Sequence, residues 1–259
     1  MNAGSNTMEL VALPGIPGVR EGDDVGDLVA DAMARTGRQW QTGDIVVIAQ
    51  KIVSKAEGRT RRLADIYPSH MAWEYASVSD KDPRKVQAML DESVDVVRVA
   101  KVGPDGLMIT RHRHGWVCAN AAIDESNVGE DGTMLLLPVD PDASAAEVAR
   151  KLEARGGIKP GVIISDTFGR AWRRGLVNVA IGAANVPVIV DWIGRVDAYG
   201  RPLQVSQPAF ADEVAAAAGL LMGKDSFTPV VLVRGLSWDI DNGAHARQLV
   251  RPLEEDLFQ

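Results

Sequence analysis

The residues best suited to chemistry include a polar stretch that directly follows an apolar run. Residues 165–175 (SDTFGRAWRRG) come after the apolar residues 162–164. Asp166 and Thr167 offer oxygen ligands for a metal ion, and three arginines, Arg170 among them, offer planar donors for phosphate or carboxylate. Ligands of α/β sheets bind beyond the carboxyl ends of strands. The alternative is a solvated basic loop with Asp166 as its salt-bridge partner; the pattern favours the functional interpretation.

A second cluster pairs a carboxylate with an amide. Asp124 and Asn127 lie three residues apart and would share one face of a helical turn. Their oxygens suit hard cations such as Mg²⁺ and Mn²⁺, and the amide suits phosphate. Asp and Asn are also the usual helix-capping residues. From spacing alone, a helix cap is the favoured interpretation and a metal site is the alternative.

A third cluster follows the apolar run at residues 44–49 (DIVVIA). Gln50, Lys51 and Lys55 come at its end, and lysine is a flexible point charge that suits nucleotide phosphates. Most lysines, however, simply lie in water at the protein surface. A phosphate site and a solvated surface therefore both remain open.

Familiar sequence motifs of nucleotide, protease and hydrolase sites are absent. The chain has no GxxxxGK[ST], no GxGxxG after a predicted strand, no HExxH and no GxSxG. A nucleotide would therefore need another type of scaffold. His112 and His114 form the one close histidine pair, and they are either metal ligands or, more commonly for such pairs, structural or substrate-contacting residues.

Composition narrows the class of protein. The 259 residues suffice for one large domain or two small ones. A net charge of −7 and a pI near 5.2 argue against a nucleic-acid partner. The single cysteine, Cys118, excludes an internal disulfide and fits a reducing compartment. With no signal peptide and no long apolar segment, we expect a cytoplasmic protein with no membrane partner.

Helical and strand patterns alternate along the chain, which predicts an α/β or α+β fold with a mixed sheet. A helix capped by Asp23 or Asp24 should run through Ala34. Gly156-Gly157 should stop a helix, although a hinge would explain it too. The other predicted helices cover residues 70–79, 83–92, 143–154 and 212–222, and the predicted strands cover 10–13, 44–49, 94–100, 107–110, 116–119, 133–139, 162–165 and 230–233, with mixed strand signals over 177–193.

Five segments resemble a known family, and they follow its order along nearly the whole chain. They are residues 13–24 (LPGIPGVREGDD), 44–58 (DIVVIAQKIVSKAEG), 113–127 (RHGWVCANAAIDESN), 165–182 (SDTFGRAWRRGLVNVAIG) and 229–235 (PVVLVRG). Together these segments resemble the coenzyme F420-0:L-glutamate ligases, also called F420 gamma-glutamyl ligases, in their stand-alone form. The resemblance implies a gamma-glutamyl ligase-like fold over residues 1–259, as a single domain or two intertwined subdomains, and a homodimer.

The same resemblance implies a set of site residues. Asp124 and Asp166 would hold one divalent metal, Mg²⁺ or Mn²⁺, and Thr167 would help to hold a second; K⁺ is a further candidate. Lys224 departs from the family, which has glutamine or glutamate there as a ligand to the second metal. A charged lysine cannot bind a metal, so either Asp225 replaces that ligand, the second metal is held differently, or Lys224 itself meets phosphate. The implied contacts to GTP are Ile16, Pro17, Gly18, Val19, Gln50, Lys51, Lys55 and Asn127, with Met222, Gly223, Lys224 and Asp225 closing over the nucleotide.

The family reaction joins the amine of L-glutamate to a carboxylate of the coenzyme F420 precursor. GTP would first phosphorylate that carboxylate, and such a transfer needs positioning and charge neutralisation more than a protein nucleophile. Asp124, Asp166 and Arg170 are therefore the predicted catalytic residues, with Arg170 binding a phosphodiester or a carboxylate of the precursor. The alternatives are a metal-dependent nucleotide or phosphate-ester hydrolase, and a binder without catalytic activity.

Overall fold

The structure is a computed structural model, which describes residues 7–103, 105–126 and 131–257. Short 3-10 turns follow β3 and β6 and precede the end of the described chain. The strands are β1 (Glu9–Ala12), β2 (Ile45–Ala49), β3 (Thr60–Arg62), β4 (Ser93–Ala100), β5 (Leu107–His112), β6 (Val117–Ala119), β7 (Thr133–Leu135), β8 (Gly161–Arg170), β9 (Arg173–Ala184) and β10 (Val230–Arg234). The α-helices are α1 (Val25–Arg35), α2 (Gln50–Ala56), α3 (His70–Ser79), α4 (Pro83–Asp91), α5 (Pro141–Gly156) and α6 (Phe210–Gly219).

A five-stranded mixed sheet has the strand order β1-β10-β2-β8-β9. Its central pair, β2 and β8, is parallel, and the other three pairs are antiparallel. In the parallel pair Ala49 lies opposite Ser165. The polar residues that follow Ala49 and Ser165 therefore lie at the same end of the β2–β8 pair.

Both faces of this sheet are buried, because its apolar residues alternate between two cores. Along β2, Val46 and Ile48 pack into one core, whereas Ile45 and Val47 pack into the other. The first core is closed by α1 and α5, and the second by α6. Helices therefore cover both faces of the sheet and hold it in place.

A close approach of backbone to backbone fixes α5 on β9. A Cβ atom added at Gly182 would lie 2.3 Å from the carbonyl oxygen of Pro141, the first residue of α5. Asp142 then accepts hydrogen bonds from the backbone N–H groups of Ala183 (2.8 Å) and Ala246 (2.7 Å). Gly182 therefore has a packing reason to be a glycine.

Two smaller sheets complete the fold. Strands β4, β5 and β6 form an antiparallel sheet in that order, and β3 pairs with β7. Helices α3 and α4 pack with β5 through a separate small core that includes Ala76, Met89 and Met108. Helices and mixed sheets alternate as predicted, so the α/β class is confirmed.

Most predicted elements are found, with corrections at several ends. The helix at residues 70–79 is confirmed, the strands predicted at 107–110 and 116–119 form the antiparallel pair of β5 and β6, and Asp24 caps α1 by accepting from the Asp27 N–H (3.0 Å). Gly157 ends α5 in the left-handed conformation (φ 67°), which confirms the helix stop. The helix predicted at 212–222 lies at Phe210–Gly219, and α2 had no counterpart among the predicted elements.

Three predicted strands need larger corrections. The strand predicted at 133–139 ends at Leu135, because its partner β3 has only three residues. The strand signals over 177–193 belong to β9, which stops at Ala184 before the left-handed Asn185 (φ 58°). The strand predicted at 162–165 continues to Arg170, because β9 pairs with it residue by residue.

None of the helices in the described part of the chain is both long enough and apolar enough to cross a bilayer.

Candidate active site

A cavity of about 890 Å³ opens where β2 ends and β8 continues past its last pair with β2. Gln50, Lys51 and Lys55 reach it from α2, and Asp166 and Thr167 reach it from β8. The remaining walls come from the segment after β1, the segments around Asp124 and Thr133, and the connection between α6 and β10. Two of the three polar clusters therefore meet because their strands are parallel neighbours.

Asp124 is brought to the same cavity by an isolated bridge to β7. Its N–H donates to the Leu135 carbonyl (3.0 Å), and its carbonyl accepts from the Leu135 N–H (2.8 Å). Asp124 is thus held in a strand-like bridge, and the described residues after it, Glu125 and Ser126, are not helical, so the helix-cap interpretation is not supported. Its carboxylate faces Lys51, whose Nζ lies 2.6 Å from Oδ2. Asn127 lies outside the described residues.

Local donors keep Asp124 ionised. Burial by itself would raise the pKa of this carboxyl group, but the hydrogen bonds from Lys51 and from the Ser126 backbone and hydroxyl outweigh it and lower the pKa. Ser126 donates to Asp124 Oδ1 from its N–H (2.7 Å) and from its Oγ (2.8 Å). Asp124 is therefore a carboxylate with a fixed orientation.

Asp166 behaves in the opposite way. Burial, followed by the negative charge of Asp124, raises the pKa of Asp166 from 3.8 to about 7, although the Thr167 N–H and the charges of Lys51 and Lys224 act against this rise. The two carboxylates and the two lysines thus influence one another across the cavity. Two acidic groups that repel each other in a partly dry site are the arrangement that a cation would relieve.

The polar stretch after residue 164 is strand and not loop. A register shift between Ile164 and Ser165 precedes Asp166, which pairs with Val179. The alternative of a solvated basic loop is therefore wrong for Asp166 and Thr167. Arg170 lies at the far end of β8, where it is exposed and its Nη2 donates to the Arg174 carbonyl (3.2 Å). Arg170 does not line the cavity, so its predicted role is not supported by its position in the described structure.

Most of the residues predicted to contact GTP line the cavity, and one of those described does not. Gln50 is buried, its Oε1 accepts from Ser54 Oγ (2.7 Å), and its Nε2 has no partner within the described ranges. Lys55 is half-buried, and its pKa is lowered by burial and then by the charge of Lys51. Asp225, also predicted to contact GTP, does not line the cavity. The other predicted contacts that line it are Ile16, Pro17, Gly18, Val19, Met222, Gly223 and Lys224.

Two polar residues of the site were missed by the sequence analysis. Asn178 on β9 donates to Ser165 Oγ (3.0 Å) and accepts from Thr167 Oγ1 (3.4 Å). It is eleven residues from Thr167, and only the β8–β9 pairing brings it there. Ser126 was passed over beside Asp124, although a hydroxyl two residues after an aspartate is a common local hydrogen-bond partner.

The histidine pair lies outside this cavity. His112 is buried with its Nε2 3.6 Å from Glu92 Oε2, and Arg59 and Arg113 contact the same carboxylate at 2.9 and 3.1 Å. His114 Nε2 lies 3.2 Å from the Pro138 carbonyl. These contacts favour the structural interpretation of the pair over a metal site.

The oxygen ligands fit a divalent ion that is shared with phosphate. Across residues 7–103, 105–126 and 131–257, no three His, Cys, Asp or Glu side chains are placed to hold a metal by themselves. Asp124, Asp166 and the Thr167 hydroxyl nevertheless face one cavity. Mg²⁺ is usually bound by one or two carboxylates together with substrate phosphates and not by a complete protein cage. The donor set suits that mode of binding.

Comparison with known proteins agrees with this geometry. The sequence model described as F420-0:Gamma-glutamyl ligase matches residues 15–235. The chain belongs to this family. The match includes every cavity residue named above, from Ile16 to Lys224.

Several curated relatives cover nearly the whole chain, among them proteins from three different organisms. "Coenzyme F420:L-glutamate ligase" of Methanothermobacter thermautotrophicus is 44% identical over 254 residues, which are 97% of this chain and 99% of the relative. The protein of the same name from Methanopyrus kandleri is 42% identical over 99% of both chains. That of Archaeoglobus fulgidus is 40% identical over 97% of this chain and 96% of its own.

Proposed function

We propose that this member of the F420-0:gamma-glutamyl ligase family attaches L-glutamate to the coenzyme F420 precursor and uses GTP to do so. Relatives named for ligation of glutamate to coenzyme F420 support the substrates. The observation that carries the chemistry is the meeting of Asp124, Asp166 and Lys51 in one cavity. Carboxylates and a lysine so placed suit a nucleotide bound through a metal ion.

The reaction divides into two balanced steps. The γ-phosphoryl group of GTP is transferred to a carboxylate oxygen of the precursor, which gives an acyl phosphate and GDP. The unprotonated amine of glutamate then attacks the acyl carbon, the C–O bond to phosphate breaks, and the amide forms with loss of one proton. No protein nucleophile is required, and Cys118, whose pKa is raised to about 12 by burial and then by Asp166, takes no part.

The side chains of the site have separate tasks in this scheme. Asp124 and Asp166 would hold a divalent ion, Mg²⁺ or Mn²⁺, that neutralises phosphate charge, and Thr167 would contribute to a second one. Lys51 and Lys55 would bind phosphate oxygens. The charge of Lys224 lowers the pKa of Asp166 in this structure, and we propose that Lys224 too meets phosphate. Whether K⁺ takes part stays a prediction.

One experiment separates this reaction from hydrolysis. Purified protein is incubated with GTP, Mn²⁺ or Mg²⁺, L-glutamate and precursor, and mass spectrometry should find a product heavier by one glutamyl unit. GTP consumption should need both acceptor substrates. Steady GTP hydrolysis without them, and no heavier product, would support a hydrolase instead.

Two variants locate the chemistry. Asp166→Asn should lose nearly all turnover, because an amide does not replace a negatively charged metal ligand. Asp239→Asn changes an exposed residue that does not line the cavity, and it should retain turnover. Full activity of Asp166→Asn would remove the metal assignment. ATP in place of GTP tests the nucleotide in the same assay.

The predicted cytoplasmic homodimer stays a prediction. Light scattering coupled to gel filtration would give the mass of the assembly, for which two chains of 27.8 kDa are expected.

A further inference from the structure

The ammonium group of Lys51 lies on Asp124, the proposed metal ligand, with an acceptor for each of its N–H donors. Its Nζ lies 2.6 Å from Asp124 Oδ2, 2.8 Å from Ser126 Oγ and 3.1 Å from the Ser126 carbonyl. An ammonium group has three N–H donors, and here each has one acceptor. Lys51 is therefore held at Asp124 by a complete set of contacts.

The carboxylate of Asp124 is equally occupied. Oδ1 accepts both the N–H and the hydroxyl of Ser126, and Oδ2 accepts Lys51. Each of the two paired side chains is only 24% exposed, so salt and water screen the pair less than an ion pair at the surface. A divalent ion can approach Oδ2 only after the lysine has left it, because two cations at one oxygen repel each other.

We propose that Lys51 is an exchangeable cation on Asp124, where Ser126 helps to hold it. When nucleotide phosphates bind the lysine, a divalent ion takes its place on Asp124. This inference rests on the proposed function and adds an order of events to it. Lysine suits this exchange because its long stem can turn about several bonds while the first turn of α2 keeps its Cα fixed. A triphosphate offers the ammonium group new anionic acceptors in the same cavity.

Metal and nucleotide must then bind cooperatively. Without nucleotide the ion competes with Lys51, and with nucleotide it does not. By linkage, the ion strengthens nucleotide binding by the same factor as nucleotide strengthens binding of the ion. The device would keep the site from holding a divalent ion before its phosphate substrate arrives.

The test measures Mn²⁺ binding directly, through the electron paramagnetic resonance signal of free Mn²⁺. Lys51→Met removes the competing cation, and without nucleotide it should bind Mn²⁺ about fivefold more tightly than the unaltered chain, as expected for an ion pair worth about 1 kcal/mol. Lys55→Met is the matched control, because Lys55 lines the same cavity and acts on Asp124 through its charge. It should tighten Mn²⁺ binding much less.

Saturating GDP provides the second measurement. GDP should strengthen Mn²⁺ binding by a larger factor in the unaltered chain than in Lys51→Met. Near-ultraviolet circular dichroism checks that each variant is folded, and Lys51→Gln replaces Lys51→Met if the latter is not. Asp166→Asn should abolish the measured binding in either background, which assigns the signal to this site.

The inference and the proposed function can fail separately. If Lys51→Met binds Mn²⁺ no more tightly, or if Lys55→Met gains as much, exchange at Asp124 is refuted while the metal site stands. If Mn²⁺ binds to none of the proteins even with GDP, the metal site is refuted, and the exchange falls with it.

Discussion

Replacing Asp166 by asparagine should stabilise the metal-free protein, and more so at high pH. The folded chain holds a proton on this carboxyl group up to about pH 7, whereas the unfolded chain releases it near pH 3.8. Between these values the folded state binds more protons, so its stability falls as pH rises, and the loss is complete above pH 7. Asparagine has no such proton and avoids the loss.

The magnitude follows from the shift. A difference of about 3 pKa units is worth at most about 4 kcal/mol at pH 8, and only about 2 kcal/mol has developed by pH 5.5. The gain in the free energy of unfolding of Asp166→Asn over the unaltered chain should therefore grow by about 2 kcal/mol from pH 5.5 to pH 8.

The assay is urea unfolding followed by tryptophan fluorescence, with a chelator present, at both pH values. Asp239→Asn, at an exposed position, controls for loss of a charge as such. Adding Mn²⁺ at pH 8 should reverse the order, because an ion that binds only the folded state stabilises the chain with an intact Asp166. A gain that is absent, or equal at the two pH values, would refute the argument that Asp166 is destabilised by burial and by Asp124.

Three further perturbations test the scaffold, each by its free energy of unfolding. Gly182→Ala should destabilise the protein by about 1–3 kcal/mol, because the added Cβ would meet the backbone of α5. Gly169→Ala should not destabilise it, because no atom would lie nearer than 3.9 Å to the added Cβ. Equal effects of the two variants would contradict the packing argument. Glu92→Gln should lower the free energy of unfolding by about 1–3 kcal/mol, because it leaves two partly buried arginine charges without their buried partner. Asp91→Asn, in a more exposed pair, should lower it by about 1 kcal/mol or less, and an equally small loss at both would argue against the Glu92 cluster. Burial, then the charge of a neighbouring histidine, lowers the pKa of His114 to about 4, so the folded chain resists protonation of this residue. The free energy of unfolding should therefore fall by at most about 3 kcal/mol as pH falls from 6.5 to 4. His114→Gln should reduce this fall, and an unchanged pH profile of stability would show that His114 is not its source.

Local signals predicted the helices best, because they need no distant partner. The residues of α3 were predicted correctly, and its Ser69 cap accepts from the Ala72 N–H within the same turn. Strand ends were predicted poorly where pairing decides them. The apolar run at 162–164 marks only the buried half of β8, and its polar half is strand because β9 supplies the hydrogen bonds.

The site residues were likewise predictable where neighbouring residues decide their position, and not where a contact with a distant strand decides it. The polar residues after β2 and those in the second half of β8 were predicted as polar clusters at strand ends, and the parallel pairing of the two strands brings them together. Nothing near Asp124 in the sequence reveals its bridge to Leu135, so spacing favoured a helix cap that the described residues do not support. Arg170 was included for its type and its neighbours, yet it lies four positions beyond Asp166, about 13 Å along β8.

The electrostatics of the cavity explain how the phosphate site that we propose is compatible with an acidic chain. Its carboxylates are not neutralised equally: Lys51 serves Asp124, while Asp166 is left with a pKa near 7. One carboxylate is thus ionised and oriented, and the other loses its proton when a cation arrives. Lys224 lowers the pKa of Asp166 and so eases that loss. Replacing Lys224 by methionine should therefore raise the pKa of Asp166, so that Mn²⁺ binding decreases more steeply from pH 8 to pH 6 than it does in the unaltered chain; an unchanged pH dependence would show that Lys224 does not act through Asp166.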